Sequence, residues 1–195
     1  MVRPPLPLTP SETPSTWTFD VMLHAYIGDG KGKTTAGIGQ LIRALGAGKR
    51  VCAVFFDKSD RTHPIHEAVV LERLQVKVSV MGCDRSLPDG GFRMSLGDDD
   101  KLAARGALSL ARNLIGSGDY DLILLDEIVT SLSSGALGFD DFVLVLDAVT
   151  EHLDLICTGR CSNDDWLSRF DLVSRITKVK HYFDRGFAAR PGIEY

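Results

Sequence analysis

A glycine-rich segment near the amino-terminal end carries residues that could bind phosphate. Residues 28–35 read GDGKGKTT. Glycines allow several backbone N–H groups to converge on an anion, a lysine supplies positive charge for phosphate oxygens, and a threonine hydroxyl suits Mg²⁺. The pattern G-x-x-x-x-G-K-[ST] would place its first glycine at position 27, where the sequence has Ile27. The segment is therefore a candidate phosphate-binding loop that is one residue short.

Two further groups of polar residues follow apolar runs. Asp126 and Glu127 close the run DLILLDE (121–127), and Arg160 closes LDLICTGR (153–160). Carboxylates at a strand end can hold Mg²⁺ or its waters, and a guanidinium can bind phosphate through a fork of donors. Taken singly, the acids are equally consistent with a solvated strand end. A plain surface arginine is the less favoured alternative for Arg160. Combined with the loop, they predict a site for a triphosphate and a metal.

The elements that must position these residues alternate between strand and helix patterns. Short apolar runs predict strands buried on both faces, at 21–27, 51–56, 76–80, 121–126 and 153–158, with a sixth candidate at 172–179. Helical spacing lies between them, at 33–46, 63–74, 98–115, 139–151 and 163–170, with Gly46 and Gly116 as predicted helix ends. This alternation predicts an α/β fold with a doubly wound, mostly parallel sheet, whose ligands bind beyond the carboxyl ends of the strands.

Composition and net charge argue against some classes of function. The chain has 195 residues, 44% of them hydrophobic, and a net charge of −4, which argues against a protein that coats nucleic acid or an anionic membrane. Residues 1–18 hold five of the eight prolines and predict a flexible leader, followed by a single nucleotide-binding domain over 19–195. The four cysteines show no paired C-x-x-C spacing, so reduced thiols and a cytoplasmic location are expected.

Four segments resemble the P-loop type of ATP:corrinoid adenosyltransferase, the enzymes that make adenosylcobalamin. They are GDGKGKTTAGIGQLIRALGAGKRV, DLILLDEI, TGR and the final DLVSRITKVKHYFDRGFAARPGIEY. The resemblance extends from about residue 21 to the last residue, and it implies a P-loop NTPase (RecA-like) core. The loop of this family is characteristically one residue short and is associated with ATP lying across it in a reversed sense, which exposes the ribose C5′ to attack. The implied reaction joins C5′ to the Co(I) of a corrinoid and releases tripolyphosphate.

The resemblance also implies roles for individual residues. Mg²⁺ is the implied metal, with Mn²⁺ as an alternative, and the implied assembly is a homodimer that needs a separate reductant for cobalt, for which a flavoprotein is a candidate. The implied catalytic residues are Lys33, Glu127 and Arg160, and the implied metal ligands are Thr34, Asp126 and Glu127. The implied binding residues are Gly28, Asp29, Gly30, Lys31, Gly32, Lys33, Thr34 and Thr35 for ATP and Phe92 for the corrinoid.

The sequence departs from the family pattern on the corrinoid side. The usual Gly-Phe-Thr-Trp, followed by a Thr-Gln pair, reads Gly-Phe-Arg-Met at 91–94 without that pair. The usual Gln-Phe-Ile-Lys reads Phe-Phe-Asp-Lys at 55–58, and the usual Asn after LDEI is Val129. These departures leave a second hypothesis open, in which an ATP-binding paralogue without corrinoid activity acts as a regulatory or interaction protein. A kinase or ATPase of another substrate is a third.

Overall fold

A single parallel sheet forms the centre of the protein. The computed structural model describes residues 22–59, 64–85, 93 and 95–194, so the predicted leader at 1–18 lies outside the described part. The strands follow the order β3-β2-β4-β5-β1-β6 across the sheet, and every pairing is parallel. The strands are β1 (Leu23–Ile27), β2 (Val51–Phe55), β3 (Lys77–Val80), β4 (Leu122–Asp126), β5 (Asp154–Gly159) and β6 (Leu172–Arg175).

Helices cover both faces of this sheet. The helices are α1 (Lys33–Gly46), α2 (His66–Arg73), α3 (Asp98–Ser117), α4 (Ile128–Ser133) and α5 (Phe139–Leu146), with 3₁₀ turns at Asp164–Arg169 and Tyr182–Arg185. Buried side chains of α1 and α2 belong to one apolar cluster, and those of α3, α4 and α5 belong to another. The prediction of a doubly wound α/β fold is confirmed. Within the described residues, no helix is both long enough and apolar enough to cross a bilayer.

Strand β4 shows why the strand patterns were continuous rather than alternating. All five of its residues are buried. Leu122 and Leu124 join the cluster beneath α1 and α2, whereas Ile123 and Leu125 join the cluster beneath α3, α4 and α5. Successive side chains of a strand point to opposite faces, so a strand covered on both sides is apolar along most of its length, as the four residues before Asp126 are in β4.

Several helix boundaries differ from the sequence prediction. Helix α3 passes through Gly116 and ends at Ser117, because Gly118 adopts a left-handed conformation with φ of 70° and stops the helix. Helix α5 ends at Leu146, and the segment predicted as a helix at 163–170 is a 3₁₀ turn. Helix α4 has only six residues, which is too short for a helical period to be visible in the sequence.

The carboxyl ends of the six strands lie along one edge of the described sheet. The register pairs Ile27 of β1 with Gly159 of β5 and with Arg175 of β6, and Phe55 of β2 with Asp126 of β4. The loops that follow these strands therefore start side by side. This is the edge at which the sequence predicted a ligand site.

The loop after β1 packs against the segment after β6. The Gly28 N–H donates to the Gly159 carbonyl at 3.2 Å, the Gly30 N–H to the Ile176 carbonyl at 2.9 Å, and the Ile176 N–H to the Ile27 carbonyl at 2.7 Å. A Cβ atom added to Gly28 would lie 2.2 Å from the Ile176 oxygen, and one added to Gly30 would lie 2.8 Å from the Thr177 carbonyl carbon. The backbone approach at both positions leaves no room for a side chain.

We expect Gly28→Ala to destabilise the protein strongly. Gly28 has φ of 120°, so alanine adds backbone strain to the contact with Ile176, at a cost of about 2 kcal/mol or more. Gly39→Ala is the matched control, because an added Cβ there meets nothing within 4 Å and alanine is favoured over glycine in a helix by about 0.5–1 kcal/mol. Urea unfolding measures both. Equal stability of the two variants would contradict this account of the loop.

An ion pair joins the opposite, amino-terminal edge of the sheet. Arg50 precedes β2 and Asp121 precedes β4. The Arg50 guanidinium Nη2 lies 2.7 Å from Asp121 Oδ1, and the Arg50 backbone N–H donates to Asp121 Oδ2 at 2.8 Å. The side-chain hydrogen bond from Arg50, together with the backbone one, lowers the pKa of Asp121 to about 2 from its ordinary 3.8.

We expect Asp121→Asn to remove part of the stability of the protein above about pH 4. Because the folded state has the lower pKa, the contribution of this carboxylate is complete above its unfolded pKa and is lost as the pH falls toward 2. The stability gap between wild type and variant should therefore close over that range in urea unfolding series. Asp119→Asn, an exposed carboxylate on the same loop, is the control. A gap that stays constant from pH 7 to pH 2 would contradict the assignment.

Candidate functional site

The loop between β1 and α1 presents its backbone at the amino end of a helix. Gly32 precedes the helix with φ of 122°, and Lys33 is its first residue. The path of the loop requires glycine at Gly32 as at Gly28, because L side chains rarely adopt such φ values. The first N–H groups of a helix have no partner within it, and the helix dipole adds positive potential. The predicted glycines therefore form a cradle suited to an anion.

Lys33 is buried at this cradle, and its ammonium bonds to the loop itself. The residue is 8% exposed, and its Nζ donates to the Gly30 carbonyl at 2.9 Å. Burial lowers the pKa of Lys33, and the charge of Arg160 lowers it further, although Glu127 and Asp126 act in the opposite direction. A bound anion would favour the charged ammonium. Lys33 is thus placed to compensate the negative charge of a bound phosphate.

Asp126 is a fully buried carboxylate at the end of β4, with 0% exposure. Its Oδ1 accepts from the Thr158 hydroxyl of β5 at 2.6 Å. Its Oδ2 accepts from the Thr34 hydroxyl at 3.3 Å and lies 2.9 Å from the Lys58 ammonium. Buried charges of this kind are retained when they are paired and hydrogen-bonded. Asp126 therefore ties together β2, β4, β5 and the start of α1.

Glu127 follows Asp126 in a conformation that is uncommon for its residue type. Its φ is 63°, and such left-handed positions in residues other than glycine cost about 1–3 kcal/mol and cluster at functional sites. The Glu127 N–H donates to the Thr158 hydroxyl oxygen at 2.9 Å, and its Oε2 accepts from the Thr130 hydroxyl. The Glu127 carboxylate is close enough to Lys33 for its charge to act on the pKa of that lysine, in the upward direction.

The oxygen atoms of this cluster suit a hard divalent cation. Thr34 and Asp126, two of the three predicted metal ligands, are hydrogen-bonded to each other, and the third, Glu127, is the next residue in the chain. Within the described ranges, no group of three or more His, Cys, Asp or Glu residues could hold a metal ion. Mg²⁺ commonly binds with one or two carboxylates, waters and substrate phosphates, so the donor set fits a metal that arrives with a nucleotide.

Lys58 belongs to this cluster, although the sequence analysis did not include it in the site. It lies on the loop after β2, and its Nζ donates to the Thr34 hydroxyl oxygen at 3.1 Å. Burial alone would lower the pKa of Lys58, but Asp126 and then Glu127 outweigh that effect, and the net shift is upward. The rule that strand ends share one edge of the sheet would have found this residue if it had been applied to β2.

Arg160 lies on the other side of the loop. It is exposed, and its backbone N–H donates to the Thr130 hydroxyl at 2.8 Å. It lines a cavity of about 430 Å³ with Asp29, Lys178, His181, Phe183 and Asp184. The backbone N–H of Lys178 donates to Asp29 Oδ1 at 3.2 Å, which lowers the pKa of Asp29. The predicted residues Asp29 and Arg160 thus share one cavity beside the loop.

Two other predicted phosphate contacts lie in a different cavity. Lys31 and Thr35 line a space of about 590 Å³ bounded by α1, α2 and residues 192–194. The Lys31 ammonium donates to the Ile193 carbonyl. The structure therefore separates these two side chains from the cluster of Lys33, Thr34 and Asp126, and their contact with phosphate stays a prediction.

The segment predicted to contact the corrinoid is described only in part, and Phe92 lies outside the described residues. The neighbouring Arg93 donates to both carboxylate oxygens of Asp100, at 2.8 and 3.2 Å. Arg85 forms an ion pair with Asp57 and lies 3.8 Å from Asp100. The hydrogen bond from Arg93 lowers the pKa of the buried Asp100. This charge network links the loop after β2, residues of the 81–97 segment and the start of α3.

Comparison with known proteins indicates the same family that the sequence motifs resemble. The model of the family ATP:corrinoid adenosyltransferase BtuR/CobO/CobP matches residues 20–195. The "Corrinoid adenosyltransferase" of Escherichia coli (strain K12) is 34% identical over 176 residues, which cover 89% of this chain and 85% of that protein. The "Corrinoid adenosyltransferase CobA" of Salmonella typhimurium (strain LT2) is 33% identical over the same shares of the two chains.

A third relative shows similar coverage. The "Corrinoid adenosyltransferase" of Pseudomonas aeruginosa (strain PAO1) is 30% identical over 178 residues, which cover 89% of this chain and 83% of that protein. The family model extends over the phosphate loop, the acidic end of β4, the Arg160 turn and the final segment. With its short phosphate loop, its Asp126 cluster and these matches over nearly its whole described length, the chain belongs to the ATP:corrinoid adenosyltransferase family.

Proposed function

We propose that this protein transfers the 5′-deoxyadenosyl group of ATP to the Co(I) centre of a corrinoid. A Co–C5′ bond forms as the C5′–O bond of ATP breaks, and the electron pair of that bond leaves with tripolyphosphate. Cobalt supplies the two electrons of the new bond and becomes formally Co(III). The corrinoid performs the difficult chemistry, so the role of the protein is to align the reactants and to stabilise the charge that builds on the triphosphate.

The observation that carries this proposal is that two cations, Lys33 and Arg160, lie beside the glycine backbone of the shortened loop. Lys33 lies against Gly30 at 2.9 Å, and Arg160 lines the cavity that Asp29 also lines. Charge-assisted hydrogen bonds from such groups are stronger than neutral ones. Since tripolyphosphate carries more negative charge as a leaving group than it does within ATP, these donors favour the transition state over the ground state.

The proposed metal is Mg²⁺, with Mn²⁺ as a substitute. Thr34, Asp126 and Glu127 would hold it, and the ion would neutralise part of the triphosphate charge. Further proposals rest on the family resemblance: the protein acts as a homodimer in the cytoplasm and depends on a separate reductant, for which a flavoprotein is a candidate. The net charge of −4 supports the proposal that nucleic acid and membrane are not partners.

The proposed activity is tested under anaerobic conditions. Wild-type protein is mixed with ATP, Mg²⁺ and chemically reduced cob(I)alamin, and we expect a light-sensitive Co–C product together with an equal amount of tripolyphosphate. Lys33→Ala should lose ATP affinity by about a hundredfold or more, because it removes a charged hydrogen-bond donor from a buried site, and should form no product. Lys77→Ala, which changes an exposed lysine of β3, is the control and should behave as wild type.

The assay also separates the two main hypotheses. Neither product, with wild-type ATP binding intact in calorimetry, would favour the ATP-binding paralogue over the transferase. Release of ADP and orthophosphate without a Co–C product would indicate an ATPase. Normal ATP affinity of Lys33→Ala would show that the loop does not hold the nucleotide as proposed.

We expect Phe92→Ala to damage corrinoid transfer and to leave ATP binding unchanged. The reason is the proposed contact of this ring with the corrinoid, on the side of the site where the sequence reads Arg93-Met94 in place of Thr-Trp. The measurement is the adenosylation rate, with ATP affinity measured in parallel. Phe92→Leu keeps an apolar side chain and should retain more of the rate. An unaffected rate in Phe92→Ala would show that the assignment of Phe92 is wrong.

A further inference from the structure

The Lys58 ammonium occupies the space between the Thr34 hydroxyl and the Asp126 carboxylate. It lies 2.9 Å from Asp126 Oδ2 and 3.1 Å from Thr34 Oγ1. It also lies 5.2 Å from the centre of the Phe55 ring, at a distance where a cation and an aromatic face attract. The side chain is 29% exposed. Its charged end is therefore held by three groups, and the side chain keeps partial contact with solvent.

The hydrogen bonds of Thr34 show that Lys58 uses the electron pairs that a metal would use. The Thr34 hydroxyl donates its proton to Asp126 Oδ2 at 3.3 Å, and its oxygen accepts from Lys58. A divalent cation binds through the same lone pairs of a hydroxyl and a carboxylate. An ammonium and a metal ion cannot share these positions, because both are cations and both need the same oxygen atoms.

The other cations of the site cannot take over this task in the geometry observed. Lys33 Nζ is bound to the Gly30 carbonyl, and Arg160 lines the cavity on the other side of the loop. Lysine is suited to a movable charge, since its ammonium is a compact point charge on a flexible stem. Lys58 is thus the cation that keeps the Asp126 charge compensated before nucleotide binds.

We infer that Lys58 is a tethered cation that holds the metal position and gives it up when ATP arrives with its metal. Its ammonium then moves to the triphosphate, where it becomes a phosphate contact. The inference rests on the proposed function, because it assumes a metal–ATP complex at this loop. Two consequences follow: the site should bind free divalent metal poorly, and the metal should enter together with the nucleotide.

The test measures metal binding and ATP binding separately, with Lys58→Met as the variant. Mn²⁺ alone, followed by electron paramagnetic resonance in the absence of nucleotide, should bind about tenfold more tightly to Lys58→Met than to wild type, because a competing positive charge about 3 Å away has been removed. ATP with Mg²⁺ should bind the same variant about tenfold more weakly, because a charged phosphate contact has been lost. The two affinities should change in opposite directions.

Two control variants define the role of the charge. Lys58→Arg keeps a cation and should not gain Mn²⁺ affinity. Lys49→Met breaks a second Lys–Asp pair, with Asp154 at 3.2 Å, at the amino-terminal edge of the sheet, and should change neither affinity. Thermal unfolding checks that each variant is folded. If Lys58→Met is not folded, Lys58→Gln replaces it, since the glutamine amide can still donate hydrogen bonds to Thr34 and Asp126.

The outcomes separate this inference from the proposed function. If Mn²⁺ affinity is the same in wild type and the neutral variants, or if metal and ATP affinities both fall, Lys58 is a structural partner of Asp126 and the inference is overturned. If the opposite changes are seen but no adenosylated corrinoid forms in the anaerobic assay, the inference stands for the nucleotide site and the proposed transfer fails.

Discussion

The Asp126 carboxylate is held in the interior, and the arrangement of the site follows from the way its charge is compensated. A buried charge is tolerated only when opposite charge and hydrogen bonds replace its hydration. Thr158, Thr34 and Lys58 provide that replacement, at 2.6, 3.3 and 2.9 Å. Because these partners come from β5, α1 and the loop after β2, satisfying one carboxylate fixes the relative positions of three segments around the phosphate loop. The parallel strands favour this arrangement, since the three segments already start at one edge of the sheet.

The shortened loop depends on a second constraint, which comes from the far end of the sequence. The backbones of Gly28 and Gly30 pack so closely against the backbones of Ile176 and Thr177 that no Cβ atom fits at either glycine. The candidate phosphate loop is therefore shaped by β6, the last strand of the chain in the described sheet, and by the residues after it. This explains in physical terms why the motif at 28–35 and the final segment belong to one pattern: a change in the backbone path of either would displace the other.

The sequence predicted those features that follow from local composition and from the geometry of parallel sheets. The apolar runs predicted every strand of the described sheet to within a few residues. The rule that parallel strands end at one edge of a sheet predicted that Lys33, Thr34 and Asp126 lie close together. Interactions between distant residues had no local pattern: Lys58 with Asp126, and Lys31 with the Ile193 carbonyl, became visible only once the chain was folded. Helix α4 was missed because a six-residue helix shows no helical period in the sequence. The end of α3 was predicted at Gly116 instead of Gly118 because either of these glycines could have adopted the left-handed conformation that stops a helix.

Two of the departures from the family pattern, Asp57 and Arg93, are connected through a charge network with Arg85 and Asp100. Asp57 stands where the family usually has Ile, and Arg93 where it usually has Thr; the first pairs with Arg85 and the second with Asp100, while Arg85 and Asp100 lie 3.8 Å apart. Asp57 is partly exposed, whereas the buried Asp100 carboxylate would be costly without Arg93 and Arg85 beside it. The two changes are therefore parts of one set of interactions that anchors the segment to β2 and α3. Through these pairs, Arg85 and Arg93, which flank the part of the segment that departs from the family pattern, are held against the loop after β2 and the start of α3.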